Sequence, residues 1–131
     1  MEHNNLILVQ NWMDKSLEAL NDGKTCIDNN MLTTAQNRLY YAIFYSVVAL
    51  GYLNNFITSK HTELIGWFNK KYIKANIFPI NMGKVYKKTF DNRHKNDYTI
   101  NYKPDKNELK QTLLDVEIFI DTIKKYIESN K

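Results

Sequence analysis

The chain has 131 residues, of which 44% are hydrophobic, with four glycines, two prolines and a net charge of +4. This is the size of one domain with a substantial core, and the scarcity of glycine and proline argues against a loop-rich or many-stranded fold. The single Cys26 excludes an internal disulfide and a cysteine-based zinc cluster. No secretory signal is recognisable, so we expect a cytoplasmic protein.

Charge is concentrated in the middle of the chain. Residues 60–95 hold nine lysines and arginines and two acidic residues, which gives this segment +7 and the remainder −3. Such a distribution is typical of a face that binds a polyanion such as RNA. Ordinary solvated lysines would produce the same pattern, and charge alone favours that plainer interpretation.

The first predicted helix begins near Asn5 and carries an apolar stripe at helical spacing. The stripe consists of Leu6, Val9, Met13, Leu17 and Leu20. Gly23 could end the helix in a left-handed cap. Because Lys24 and Ile27 keep the phase of the pattern, we expect the helix to continue to Asp28.

The second predicted helix is capped by Thr33 or Thr34 and runs to Leu50, with residues 51–56 leading into a loop. Apolar side chains cover most of its circumference, so we expect it to be the central helix. Residues 39–53 carry no charge but include four tyrosines. A membrane span needs about 20 predominantly apolar residues, so a buried core helix is the better interpretation.

Ser59 is the predicted cap of the third helix, whose first turn contains Glu63 and whose end is basic. The fourth helix runs from about Asn81 into the segment 93–97. In the fifth, residues 104–108 match a capping box. Its apolar positions alternate steps of four and three: Leu109, Leu113, Val116, Ile120, Ile123 and Ile127. No segment alternates at period two, so we predict an all-α fold: a single domain over residues 1–131 forming an antiparallel bundle of four to five helices.

The apolar stripe of the fourth helix ends in a charged pair. Its members are Met82, Val85, Tyr86, Thr89 and Phe90, and the same face then reaches Arg93 and Asp97. A charge rarely enters a buried face without a partner. Arginine before aspartate is the weaker order for a helical ion pair, and the aspartate faces the negative end of the helix dipole. We therefore expect Arg93 to bind an anion or a partner chain, with Asp97 orienting it; a stabilising surface pair is the alternative.

His94 and Tyr98 lie four residues apart on an adjacent face of the same helix. A histidine beside an arginine suits RNA cleavage, because the imidazole can move a proton and the guanidinium can hold a phosphate. An exposed, idle histidine is the alternative. His61, near a helix start, is expected to be structural or to contact an anion, and Arg38 to pair with an acid from another helix.

Several segments together resemble the small prokaryotic HEPN-domain proteins. They are residues 37–45 (NRLYYAIFY), Lys60-His61, residues 66–69 (GWFN) and Phe90-Asp91-x-Arg93-x-x-x-Asp97-Tyr98. The resemblance implies a helical bundle of four or five helices, a homodimer, and metal-independent ribonuclease activity without a cofactor. It also implies a toxin–antitoxin or defence module in which a minimal nucleotidyltransferase is encoded nearby and can adenylylate a motif tyrosine.

The chain departs from the family's active-site pattern, in which a histidine follows the arginine after four to six residues. Those positions are Tyr98, Thr99 and Ile100 here, so the motif has the form Arg-x-x-x-Asp-Tyr seen in the nucleotidyltransferase-associated type. The resemblance nevertheless predicts an RNA-cleaving toxin. The alternative is a non-catalytic subunit that pairs with a nucleotidyltransferase or binds nucleotide or RNA.

Two sets of site residues follow from the pattern and the resemblance. The candidate catalytic residues are Arg93, Asp97, Tyr98 and His94. The candidate RNA- or anion-binding residues are Arg38, Lys60, His61 and Lys95. The three histidines lack metal-ligand spacing, so we expect no metal site, and we also expect no membrane partner.

Overall fold

Five α-helices account for most of the chain in a computed structural model that describes residues 3–131. They are α1 (His3–Asp28), α2 (Leu32–Leu53), α3 (His61–Phe68), α4 (Ile80–Tyr98) and α5 (Lys106–Ser129), with a π-helical turn, Asn69–Ile73, continuing α3. No strand occurs in the described part of the chain. The predicted all-α bundle is confirmed, and within residues 3–131 no helix is long and apolar enough to cross a membrane.

Helix α2 is the centre of the bundle, as its apolar circumference predicts. It packs against α1, α3, α4 and α5, and Leu39, Ile43 and Leu50 are at most 1% exposed. Close packing of α1 on α2 depends on small residues. Ser16 donates a 2.6 Å hydrogen bond to the Ala42 carbonyl, which satisfies a buried hydroxyl and fastens the two helices together.

The predicted stripe of α1 is wrong at one position, because Leu17 is 37% exposed. Ser16, Ala19 and Gly23 face α2 instead. A Cβ atom on Gly23 would lie 2.9 Å from Leu39 Cδ2, so this glycine permits close helix contact and does not end the helix. The continuation to Asp28 is confirmed.

Asparagines in the left-handed conformation follow three of the helical segments. Asn30, Asn55 and Asn76 have φ of 59°, 57° and 59°. Beside the first, the Met31 amide donates to the Cys26 carbonyl, the long-range bond of a Schellman cap. Asparagine tolerates this region better than other non-glycine residues, which explains how a chain with four glycines makes these turns.

Two predicted helix caps are wrong. Helix α2 begins after Met31 without a side-chain cap, so neither Thr33 nor Thr34 caps it, because the Schellman turn places the next helix immediately after it. Helix α3 begins after Lys60, again without a side-chain cap, and Ser59 stands one residue too early. Helix α2 also extends to Leu53, beyond the predicted end.

The cap of α5 is confirmed, since the Asp105 carboxylate accepts a 2.9 Å hydrogen bond from the Glu108 amide. The reciprocal half of the capping box is replaced by an ion pair in which Glu108 lies 3.6 Å from Lys88 on α4. Along α5, the predicted seam faces the core except at Leu113, which is only partly buried.

A polar anchor sets the crossing of α4 over the start of α2. The Gln36 amide donates to the Asn92 carbonyl at 2.8 Å and to Asn96 Oδ1 at 2.9 Å. Asn96 in turn donates to the Thr33 carbonyl at 3.1 Å. Hydrogen-bonded polar groups of this kind fix one register between two helices. They bring the carboxyl-terminal half of α4 against the first turns of α2.

Candidate active site

Arg93 lies where the buried stripe of α4 approaches solvent. Its side chain is 22% exposed and its Nε is 3.7 Å from Asp97 Oδ2, whose side chain is 40% exposed. That separation is too long for a hydrogen bond, and the buried Nε has no hydrogen-bond partner. The predicted association of the two charges is therefore present but loose, and most of the guanidinium's hydrogen-bonding capacity is not used by Asp97.

Two tyrosine rings of α2 hold the Arg93 guanidinium in place. Its central carbon lies 5.4 Å from the Tyr40 ring centroid and 5.3 Å from that of Tyr41, within the range of cation–π attraction. The Arg38 guanidinium lies over Tyr41 at 5.2 Å. Arg38 donates to Asn37 Oδ1 at 2.8 Å, in place of the predicted pairing with an acid from another helix. Two arginines thus flank one tyrosine.

His61, at the first residue of α3, belongs to the same cluster. Its Nδ1 is 2.6 Å from Tyr40 Oη, and its ring is stacked on Phe44 with centroids 4.0 Å apart and planes 8° from parallel. Burial, followed by the positive charges of Arg93 and His94, lowers the pKa of His61 below its ordinary 6.5. Burial raises the pKa of the Tyr40 phenol. At neutral pH this is a neutral imidazole joined to a neutral phenol.

His94 is partly buried and occupies an aromatic environment of its own. Its ring meets the edge of Phe90 at 4.6 Å and stacks on Tyr98 at 5.8 Å. The rings of His94 and Tyr98, which the sequence places four positions apart, are therefore in contact, and His94 is partly buried rather than exposed. Tyr98 itself is 79% exposed, so its hydroxyl is open to a partner or a substrate.

The predicted site residues separate into two groups. One group shares the end of α4 and consists of Arg93, Asp97, His94 and Tyr98. Arg38 and His61 join it through Tyr40 and Tyr41 of α2, and we call these eight residues the arginine cluster. Lys95 lies elsewhere, in a groove of about 440 Å³. Its lining consists of Lys84, Lys87, Lys88, Asp91, Asn92, Lys95 and Glu108. Lys60 is exposed beside His61.

The basic groove and the arginine cluster are on opposite sides of α4. At 100° per residue, Arg93 is about half a turn from Lys84 and Lys95 around the helix axis. Lys87 and Lys88 are partly neutralised, because they pair with Asp91 at 2.9 Å and with Glu108 at 3.6 Å. The concentration of positive charge in residues 60–95 is therefore not one continuous surface.

Tyr40 and Tyr41 are the residues that sequence reasoning missed, since it assigned them to the core. Tyr40 is indeed fully buried, yet its hydroxyl contacts His61. The available signal was the spacing on α2: Arg38 and Tyr41 are three residues apart, and Tyr40 and Phe44 four, so each pair shares a face. What these faces meet depends on α3 and α4.

The cluster combines a guanidinium that can bind a phosphate with imidazoles that can exchange protons. Those are the components that phosphodiester cleavage requires. Within residues 5–131, no group of three or more His, Cys, Asp or Glu side chains is arranged to hold a metal ion. The chemistry available from the described residues is therefore general acid–base and electrostatic.

Comparison with known proteins identifies relatives that match most of the chain. The chain is 32% identical over 124 residues to a "UPF0332 protein" of Thermotoga maritima, covering 95% of this chain and 94% of the relative. It is 30% identical over 120 residues to "Putative toxin MJ0605" of Methanocaldococcus jannaschii, covering 92% and 89%. A second protein of that archaeon, "Putative toxin MJ0142", is 28% identical over 116 residues, covering 88% and 77%.

The family model described as the HEPN domain matches residues 9–126. This match takes in α2, α3 and α4 entirely and nearly all of the bundle. It also contains every residue of the arginine cluster. The chain therefore belongs to the HEPN-domain family.

Proposed function

We propose that this HEPN-domain protein is a metal-independent RNA-cleaving toxin whose site is the cluster around Arg93 and His61. The observation that carries the proposal is the 2.6 Å contact between His61 Nδ1 and Tyr40 Oη beside a guanidinium held over Tyr40 at 5.4 Å. The names of the two archaeal relatives, "Putative toxin MJ0605" and "Putative toxin MJ0142", support the assignment as a toxin.

The reaction we propose is transesterification within the RNA backbone. Arg93 binds the scissile phosphate. Nε2 of His61 accepts the proton of the 2′-hydroxyl, while Nδ1 keeps the ring proton and donates a hydrogen bond to Tyr40 Oη. The 2′-oxygen then bonds to phosphorus and the bond to the 5′-oxygen breaks. The products are a 2′,3′-cyclic phosphate and a 5′-hydroxyl, whose proton comes from His94 or from water.

This assignment accounts for the histidine missing after Arg93. An imidazole supplied by α3 replaces the one that the family pattern places near the end of α4. Asp97 orients Arg93 from its exposed side, and Tyr98 remains a second candidate for proton transfer because it stacks on His94. The pKa of His61, lowered chiefly by burial, keeps it able to accept a proton at neutral pH.

The proposed assembly is a homodimer in a toxin–antitoxin or defence module with a minimal nucleotidyltransferase as partner. The resemblance to nucleotidyltransferase-associated HEPN proteins supports it, and so does the exposure of Tyr98, which is accessible to an adenylylating enzyme. A cytoplasmic location belongs to the same proposal, since RNA is the substrate.

The test compares expression of the wild type with Arg93→Ala and His61→Ala, using Lys125→Ala as a control. Lys125 is on α5, its side chain is 75% exposed, and it lies outside both the cluster and the basic groove. We expect growth arrest and cleaved RNA with the wild type and Lys125→Ala. The purified cluster variants should cleave at least about a hundredfold more slowly, in line with loss of a general base or charge stabiliser. Intact RNA with every protein would refute the nuclease.

A non-catalytic role is the second candidate, and the absence of histidine at positions 98–100 favours it. In that case the cluster binds nucleotide or RNA, or pairs with a nucleotidyltransferase, without cutting. RNA that binds in an Arg93-dependent manner and is recovered uncut would identify this role. Cleaved ends carrying 2′,3′-cyclic phosphate would exclude it.

A further inference from the structure

A groove of about 220 Å³ adjoins the arginine cluster and is not used by the cleavage chemistry. It lies between α1, α2 and the loop before α3, and its principal lining residues are Trp12, Phe44, Tyr52, Ile57, Ser59 and His61. His61 thus belongs to both sites, because it lines this groove and also contacts Tyr40 in the cluster. Whatever occupies the groove lies next to the proposed general base.

The walls of the groove are suited to a flat aromatic ring. Trp12 and Tyr52 have centroids 6.2 Å apart and planes 27° from parallel, and Phe44 and His61 form a second stacked pair. Ile57, although hydrophobic, is 59% exposed. The hydroxyls of Thr58 and Ser59 add polar groups at the rim. Aromatic walls with a few polar groups are typical of sites that stack a nucleobase and bond its edge.

The volume of the groove and the charge beside it restrict the kind of ligand further. Drug-sized ligands occupy sites of roughly 300–1,000 Å³, so this smaller groove suits one ring system. The Lys15 ammonium lies 5.2 Å from the Trp12 ring and 4.9 Å from the Tyr45 ring, which places a cation beside the groove. A base in the groove would therefore have a positive charge near it, in addition to Arg93, that attracts the RNA backbone.

We propose that this groove binds one unpaired nucleobase of the RNA whose scissile phosphate lies at Arg93. The inference rests on the proposed function, because it takes the cluster as the phosphate site. A base that is paired in a duplex is stacked within the helix and cannot enter a groove of about 220 Å³. The groove therefore makes the protein selective for single-stranded RNA and positions the strand against His61.

The test uses tryptophan fluorescence in a Trp67→Phe background, where Trp12 is the remaining tryptophan of the two in the chain. Trp67 stacks on Phe56 at 4.9 Å, outside the groove lining, and phenylalanine can keep that contact. The probes are a 2′-fluoro oligouridylate hexamer, which lacks the 2′-hydroxyl nucleophile and cannot be cleaved by transesterification, and the hexamer of the same backbone without bases. Affinity is measured separately by calorimetry.

Two substitutions accompany the probes. Ile57→Ala removes an exposed wall of the groove without disturbing the core, and Ile118→Ala on α5, 66% exposed, is its matched control. We expect the base-bearing hexamer to quench Trp12 and to bind at least about tenfold more tightly than the abasic one. Ile57→Ala should weaken its binding about three- to tenfold, and Ile118→Ala should leave it unchanged.

The possible failures separate the two proposals. Equal affinity for both hexamers with unchanged Trp12 emission, while Arg93→Ala weakens both, would overturn the base groove and leave the RNA site in place. A Trp12 response that is insensitive to Ile57→Ala would also overturn it. If neither hexamer binds and the wild type leaves cellular RNA intact, the nuclease proposal fails together with the groove.

Discussion

At the scale of single residues, the unusual feature is an arginine on a buried helix face with little help from its acidic neighbour. The exposed side of the Arg93–Asp97 pair and its 3.7 Å separation place it among ion pairs that contribute about 0–1 kcal/mol. Two tyrosine rings at 5.3 and 5.4 Å contribute cation–π attraction of about 0.5–2 kcal/mol each. The rings therefore hold Arg93, and the donors on its terminal nitrogens remain for a ligand, whereas Nε is buried.

From the lowered pKa of His61 we expect a specific dependence of folding stability on pH. Its pKa in the folded protein is lowered by burial, Arg93 and His94, so between that pKa and about 6.5 the unfolded chain binds a proton that the folded chain does not. Stability is then highest above pH 6.5 and falls as the pH decreases towards the folded-state pKa. We expect urea midpoints to decrease from pH 7 to pH 5, and less so in His61→Gln.

The same residue predicts the pH profile of cleavage. A general base must be unprotonated, so kcat/KM should fall on the acid side with an apparent pKa below the ordinary value of about 6.5 for histidine. Tyr40→Phe, which keeps the ring but removes the hydrogen bond to Nδ1, should lower kcat about tenfold or more and displace this limb. An identical pH profile in wild type and Tyr40→Phe would remove Tyr40 from the mechanism.

At the scale of helices, two glycines that both lie within a helix, Gly51 and Gly66, have opposite structural roles. A Cβ on Gly51 would lie 2.4 Å from the Phe56 carbonyl oxygen, whereas one on Gly66 would meet nothing within 4 Å. Gly51 lets the chain fold back over the end of α2, where Phe56 donates its amide to the Gly51 carbonyl at 2.9 Å. Gly66 is an exposed position of α3 that only loses helix propensity.

Substitution by alanine should therefore change the free energy of unfolding in opposite directions at the two glycines. Gly51→Ala should lower the free energy of unfolding by about 1–3 kcal/mol, because the backbone oxygen cannot move away cheaply. Gly66→Ala should raise it by about 0.5–1 kcal/mol through helix propensity. Denaturation in urea measures both, and two changes of the same sign would contradict the geometry of the α2 end.

At the scale of the whole molecule, positive charge is divided between the arginine cluster and the groove that contains Lys84 and Lys95. The cluster binds the reacting phosphate in the proposed function, whereas the groove on the other side of α4 is too distant for the chemistry. Its effect on RNA would be long-range attraction, which is screened by salt.

Charge reversal in the groove tests this division. The double substitution Lys84→Glu and Lys95→Glu should raise KM for RNA several-fold at low salt, with a shallower dependence on salt concentration, and leave kcat unchanged. Arg93→Ala should instead lower kcat. A loss of kcat in the double variant, with its helical content intact by circular dichroism, would assign a catalytic role to the groove.

The helices follow from local sequence, because the apolar period that marks each one is local and each helix buries the face that this period defines. The continuation of α1 through Gly23 and the Asp105 cap of α5 are both apparent from residues within one or two turns. The starts of α2 and α3 were not, since they depend on how the preceding loop closes. Leu17 was misplaced because small residues, rather than large ones, face α2.

Only the part of the candidate site that lies on α4 was grouped correctly from the sequence. Arg93, His94, Asp97 and Tyr98 share one helix, so periodicity sufficed to group them. The contact of His61 with Tyr40 joins residues 21 positions apart, and the approach of Arg93 to Tyr40 depends on the Gln36 anchor that sets the crossing of α4 over α2. Such pairings arise from packing between helices, which no local pattern encodes. The meeting of His61, from α3, with Arg93 through Tyr40 follows only from the tertiary structure.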